Sequence, residues 1–138
     1  MSAAAKSPPP AMKETLNVSY YSGPGSDPKL NTLDLVVPEG KTNVPLLFFV
    51  HGGSWRGGDK QIPKALGNLF GRMGWAVAST NYRLSPAVKH PTHVQDVARA
   101  FAYLYKNASQ YGIDRSRIVI LGHSAGGHLV ALLALDHR

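Results

Sequence analysis

Cysteine is absent from the 138 residues. Disulfides, thiolate nucleophiles and cysteine-ligated zinc are therefore excluded within the chain, and a cytoplasmic location is the expectation. The opening stretch MSAAAKSPPPAMK lacks the apolar core of a secretory signal. No apolar run approaches the roughly 18 residues that suggest a membrane span. Acidic residues are few: 8 Asp and Glu stand against 15 Lys and Arg, for a formal net charge of +7. The basic residues are scattered, with no contiguous run and no interleaving with aromatics, so no nucleic-acid partner is expected. Internal repeats are lacking. So is a His-x-x-x-His spacing that would place two ligands on one helix face, and neither a metal nor another cofactor is expected. Nothing in the sequence speaks to oligomeric state.

What remains reads as one globular domain, with 43% hydrophobic and 17% charged residues. Residues 1–13, rich in Ala, Ser and Pro, are expected to form a flexible N-terminal tail, and residues 14–138 the folded part. ETLNVSYYSG alternates like a strand, GPGSDPKLN carries turn residues, and TLDLVVP reads as the second arm of a hairpin. LLFFV, WAVAST and IVILG are short apolar runs of the kind that form strands buried on both faces. Between them lie two helical patterns. In IPKALGNLFGRMG, the residues Ile62, Leu66, Leu69, Phe70 and Met73 form a stripe. In THVQDVARAFAYLYKNASQYG, the residues Val94, Val97, Phe101, Leu104 and Tyr105 share a face, with Thr92 as cap and Gly112 as terminator. IDRSR reads as a turn. A further helix follows from Ser124. The order is a hairpin and then three strand–helix pairs. It predicts a three-layer αβα fold with a mostly parallel sheet, with ligands at the carboxyl ends of the strands.

Two glycine-rich stretches fall at those ends. Gly122-His123-Ser124-Ala125-Gly126 lies between a strand and a helix. Small residues two positions either side of a serine permit the tight turn that presents its hydroxyl, and the helix start supplies N–H groups for developing negative charge. A serine hydroxyl needs such donors, and a base, to act as a nucleophile. The bland alternative is a serine that merely caps a helix. The second stretch, HGGSW at 51–55, offers backbone N–H groups that glycine allows close to a substrate. Gly53 and Ser54 are the expected donors, joined by Ala125.

HGGSWRGGDK, NYRLSP, QDVARAFAYL and YGIDRSRIVILGHSAGGHL, in this order, resemble the α/β-hydrolase superfamily over roughly residues 30 to 136. The likeness is to its carboxylesterase, acetyl and feruloyl esterase, kynurenine formamidase and prenylcysteine methylesterase branch. That resemblance implies an α/β-hydrolase fold of which the chain is the N-terminal portion, truncated after the nucleophile helix. It implies hydrolysis of small-molecule esters, or formamides and amides, through an acyl-enzyme. Ser124 would be the nucleophile and Gly53, Ser54 and Ala125 the oxyanion hole, with Trp55 lining the substrate pocket or buried as a structural aromatic. Asp59 is expected to cap the next helix.

In this superfamily an acid and then a histidine follow the nucleophile. Here only Asp136 and His137 do, 12 and 13 residues on, which is about 18 Å along a helix. A base must come within about 3 Å of the hydroxyl, so neither qualifies. His51 is expected to anchor its loop, His123 to point away, His128 to pack beside the serine, and His90 and His93 to lie at the surface or cap a helix. Asp96 precedes the nucleophile and is expected to pair with Arg83 or Arg99, or to be exposed. Three expectations follow, in this order. The chain is a fragment of a longer serine hydrolase, a natural non-catalytic short form acting as a binding module, or a chain completed by another. A sheet ending at IVIL would also leave an apolar edge.

Overall fold

The structure, a computed structural model, describes residues 11–135; Asp136 and His137 lie outside them, as does most of the expected tail. The elements are β1 (Met12–Ser19), β2 (Thr32–Pro38), β3 (Val44–Val50), α1 (Lys64–Arg72), β4 (Ala76–Thr80), α2 (Thr92–Lys106), a short 3-10 turn (Ala108–Tyr111), β5 (Ile113–Gly122) and α3 (Ala125–Leu135). The first strand starts two residues before the expected boundary.

The five strands lie in the order β1-β2-β4-β3-β5. β1 pairs antiparallel with β2, and β2 antiparallel with β4, whereas β4, β3 and β5 run parallel. Only β2 therefore runs against the rest. Leu33, Leu35, Leu46, Phe48, Val50 and Ala78 on one face of the sheet pack with Val97, Ala100 and Leu104 of α2 and Leu129 of α3. Val36, Leu47 and Val77 on the opposite face pack with Ile62, Phe70 and Trp75 around α1. This is the three-layer arrangement the sequence predicts: alternate side chains of each central strand point to opposite faces and both faces are covered.

Several local expectations are corrected. The side of α1 turned to the sheet carries Gly67 and Gly71, both buried. A Cβ on Gly67 would sit only 3.7 Å from Val36, so the helix rides close on small residues. Leu69 and Met73, expected in the apolar stripe, are 55% and 58% exposed. In α2, Pro91 occupies the cap position and no side chain caps the helix, so Thr92 lies in the first turn instead. Tyr105 is half exposed, stacked on Phe101 beneath the Arg115 guanidinium. Gly112 ends the 3-10 turn at φ 72°, as its lack of a side chain allows. IDRSR belongs to β5, but as an excursion: Val44 pairs with Ile113 and Leu46 with Ile118. Asp114 closes the excursion by accepting bonds from the Ser116 hydroxyl and N–H and from Arg117. Those bonds hold its carboxyl down at about 2. The apolar part of β5 is an edge strand, with Val119 48% and Leu121 50% exposed, where the run IVILG alone predicts burial on both faces.

Asp96 is the polar centre of the α2 face. It is fully buried. It accepts bonds from the Arg83 backbone N–H and Nε (2.9 Å each), from Arg83 Nη2 (2.8 Å) and from Arg99 Nη1 (3.2 Å). Burial works to raise its pKa, but the Arg83 bonds and charge prevail and hold the carboxyl below its usual range. A depressed carboxylate contributes stability above its unfolded pKa of about 3.9 and loses it as pH falls through the lower folded value. Asp96→Asn should therefore cost about 3 kcal/mol at pH 7. The gap between variant and parent should narrow below about pH 4, read by urea unfolding across that range.

Candidate active site

Strand register brings the two glycine-rich stretches together. Val50, the last residue of β3, pairs with Thr80 of β4 and with Gly122 of β5. The segments starting at His51, Asn81 and His123 thus leave the same edge of the sheet, at the carboxyl ends of three parallel strands.

At His123 the chain turns sharply. Its N–H still donates to the Val50 carbonyl at 3.1 Å, while its own carbonyl accepts the Gly126 N–H at 2.9 Å as α3 begins. Ser124 sits between with φ 54°, a left-handed conformation unusual for a residue with a side chain. Its side chain is exposed, and its carbonyl accepts the His128 N–H at 3.1 Å. The flanking glycines are steric requirements. A Cβ on Gly126 would collide with the Val50 carbonyl oxygen, and one on Gly122 with the Gly126 carbonyl oxygen. Gly127 has room for a Cβ, whose nearest neighbour would be the Gly122 oxygen at 3.4 Å.

The loop after β3 lies against this turn. A Cβ on Gly52 would come within 2.6 Å of the His123 oxygen and 3.1 Å of the Ser124 Cβ. Three residues in succession, Gly53, Ser54 and Trp55, have φ of 132°, 55° and 61°. Their turn is closed by the N–H groups of Arg56 and Gly57, both donating to the Gly53 oxygen at 3.0 Å. Among the described residues, the N–H groups of Gly53, Ser54 and Ala125 have no acceptor. Trp55 is 37% exposed and meets His128 edge-on, with ring centroids 5.4 Å apart. Beside them opens a cleft of about 570 Å³ between this loop, the segment around Lys89 and α3.

NYRLSP, which sequence reading leaves without a role, is the support of that loop. The Tyr82 hydroxyl donates to the His51 carbonyl at 2.9 Å, and its ring stacks on the His51 imidazole at 4.6 Å. Burial pushes this hydroxyl up to about 12. His51 is itself buried, its Nδ1 2.8 Å from the Gly52 oxygen, in the anchoring role expected of it. Asn81 fixes the far end of the loop, accepting the Lys60 N–H at 2.9 Å and donating to Asp59 at 3.3 Å. Asp59 does not cap α1, whose cap position is Pro63 without a side-chain bond. Its carboxylate accepts the Gln61 N–H; burial would raise its pKa, but the bonds from Asn81 and Gln61 keep it below the usual range. Lys60 is buried with its Nζ 2.9 Å from Asp34 and 2.7 Å from Asn17, tying the loop to the hairpin.

His93 departs from expectation. It is buried rather than at the surface, 3.0 Å from the Ser85 hydroxyl. Burial, the largest influence, lowers its pKa and favours the neutral ring. His90 and His128 are exposed on the cleft wall. Among the described residues, no imidazole or carboxylate is bonded to the Ser124 hydroxyl, no group of side chains is arranged to hold a metal ion, and no helix is long and apolar enough to cross a membrane.

Gly126 and Gly127 should respond oppositely to one added methyl group. Gly126→Ala must displace backbone and should cost at least about 3 kcal/mol. Gly127→Ala, in open helix, should be neutral or stabilising by up to about 1 kcal/mol. Urea unfolding of the two variants makes the comparison.

Known proteins share this architecture. The chain is 43% identical over 93 residues to a protein named as a probable carboxylic ester hydrolase, LipM, of Mycobacterium tuberculosis, a match covering 66% of this chain and 21% of LipM. It is 36% identical to the probable isoprenylcysteine alpha-carbonyl methylesterase ICMEL1 of Oryza sativa subsp. japonica, covering 80% of this chain and 26% of that one. The crystal structure of esterase B from Lactobacillus rhamnosis superposes with a TM-score of 0.77 at 28% identity, covering 96% of this chain and 42% of esterase B. The chain thus spans about a fifth to a quarter of the length of these curated relatives. The BD-FAE family profile matches residues 33–138, which takes in both glycine-rich stretches and all the sheet except β1 and the first residue of β2. On that match the chain belongs to the BD-FAE family, and its fold is that of the α/β-hydrolases.

Proposed function

We propose that the chain carries the nucleophile half of a serine hydrolase acting on carboxylic esters, or on formamides and amides, through an acyl-enzyme. The observation that carries this reading is the strained Ser124, exposed at the strand–helix turn with the Gly52–Trp55 loop packed against it. In the proposed reaction the Ser124 oxygen attacks the substrate carbonyl and its proton passes to a base. The carbonyl oxygen becomes an oxyanion held by the N–H groups of Gly53, Ser54 and Ala125, and the alcohol or amine leaves. Water then releases the acid and restores the serine. Acceptor-free N–H groups suit this task because they gain their partner only as charge develops. Trp55, on the cleft wall next to Ser54, would line the substrate pocket.

The base and the acid that orients it would come from outside residues 11–135. His128 does not bond the hydroxyl, and Asp96 is consumed by Arg83 and Arg99 on the α2 face. Without such a base an oxyanion hole alone sustains only a small part of the catalysis of a complete triad.

In a form of the protein that also carries the base, incubation with 4-nitrophenyl acetate should place an acetyl group on Ser124, detected by peptide mass spectrometry. Ser124→Ala should remove both the adduct and the enzyme-dependent release of nitrophenol, a loss of about a thousandfold or more where the base is present. Equal hydrolysis by parent and variant, with no acetyl group at Ser124, overturns the reading.

A further inference from the structure

The cleft lined by Ser54, Trp55 and His128 has a charge pattern that ester hydrolysis does not itself require. Its apolar surface comes from Trp55, Leu129 and Leu132, and its rim carries Arg56, Lys89 and His90. None of its lining residues is acidic. The Arg56 and Lys89 side chains are exposed. Among the described residues neither has an ion-pair or hydrogen-bond acceptor, whereas Lys60, Arg83, Arg99 and Arg117 each reach a carboxylate. Arg56 is also fixed at its base, because its backbone N–H closes the turn on the Gly53 oxygen. Its position is therefore coupled to the donors of the proposed oxyanion hole.

We infer that this cleft selects esters bearing a carboxylate on an apolar body, with Arg56 and Lys89 as specificity-determining residues. Cations of one sign around a concave, partly apolar wall focus their field and raise the local concentration of anions. A chain of net charge +7 adds to that attraction. Arginine offers two parallel N–H donors to a carboxylate, lysine a single mobile one. A rigid indole wall beside them favours an aryl or alkyl body. The uncharged wall polar groups, Ser85 and the buried neutral-leaning His93, impose no competing negative charge.

This assignment rests on the reading of Ser124 as nucleophile, but its test does not use turnover. The chain has two tryptophans. Trp75 packs against Phe70 on the α1 face, so a Trp75→Phe background leaves Trp55 as the sole indole reporter of the cleft. Its fluorescence is titrated with 3-phenylpropionate and with the uncharged 3-phenylpropionamide. The carboxylate should bind about fivefold more tightly at low salt, the size of one exposed ion pair. The preference should shrink as salt rises. It should vanish in Arg56→Gln/Lys89→Gln and persist in the charge-conserving Arg56→Lys/Lys89→Arg. Equal binding of the two ligands, no binding of either, or a preference that survives loss of both cations overturns the inference. Acetylation of Ser124 with no carboxylate preference would leave the hydrolase reading standing without this one. A carboxylate preference without acetylation would leave an anion-binding cleft but overturn its assignment to ester selection.

Discussion

The arrangement depends on one close backbone contact: the Val50 carbonyl against the start of α3. That oxygen accepts the His123 N–H and leaves no space for any atom beyond the α-hydrogen of Gly126. Because Val50 is the last residue of β3, the contact clamps the strand end, the serine turn and the helix into one unit. Gly122 must be as small for the complementary reason, since the Gly126 carbonyl folds back over it. A side chain at either position would lift α3 off the sheet and unbend the turn. The left-handed Ser124 is held by these neighbours and costs local free energy that the packed sheet below must offset.

The Gly52–Trp55 loop carries more strain still, with three consecutive positive φ angles, two of them at residues with side chains. Such a loop keeps one shape only if both its ends are fixed. Tyr82 fixes the first by stacking on His51 and bonding its carbonyl; Asn81 fixes the second through Lys60 and Asp59. The next residue, Arg83, is anchored in turn by Asp96. Three adjacent residues after β4 thereby connect the loop to α2. The hairpin joins through the buried Lys60–Asp34 pair. A buried pair of this kind is weak evidence of added stability, but removing one partner is costly, so it serves to fix geometry.

How much of this the sequence shows depends on whether a residue's role is local. The serine turn and the HGGSW loop are legible because their tight backbone demands small residues at fixed spacing. The order of strands and helices is legible because β3 and β4 are buried on both faces and read as unbroken apolar runs. The NYR support is not legible. Nothing in the periodicity says that Tyr82 reaches His51, a contact that exists only once β4 lies beside β3, whereas the pairing of Asp96 is legible in part: Arg83 and Arg99 are both candidates, and Asp96 takes both. The α1 face misleads for a different reason. Apolar periodicity counts large side chains, and here the contact surface is made by Gly67 and Gly71, so Leu69 and Met73 are placed inward when they face solvent. His93 shows the converse, a polar residue buried because Ser85 satisfies its ring nitrogen.

β5 marks the limit of composition as a guide to burial. Its apolar run has the same character as that of β3, yet Val119 and Leu121 are half exposed while Leu47 is buried. The difference lies in position. β3 has a strand on either side, whereas among the described residues β5 pairs only with β3. Hydrophobicity states what a strand can tolerate; the sheet order states what it has received. The serine turn is insensitive to that difference, because the contacts that shape it come from β3, the loop that follows it, Gly122 and the first turn of α3, not from a strand on the far side of β5. The edge can therefore be bare while the turn that it leads into is fully formed.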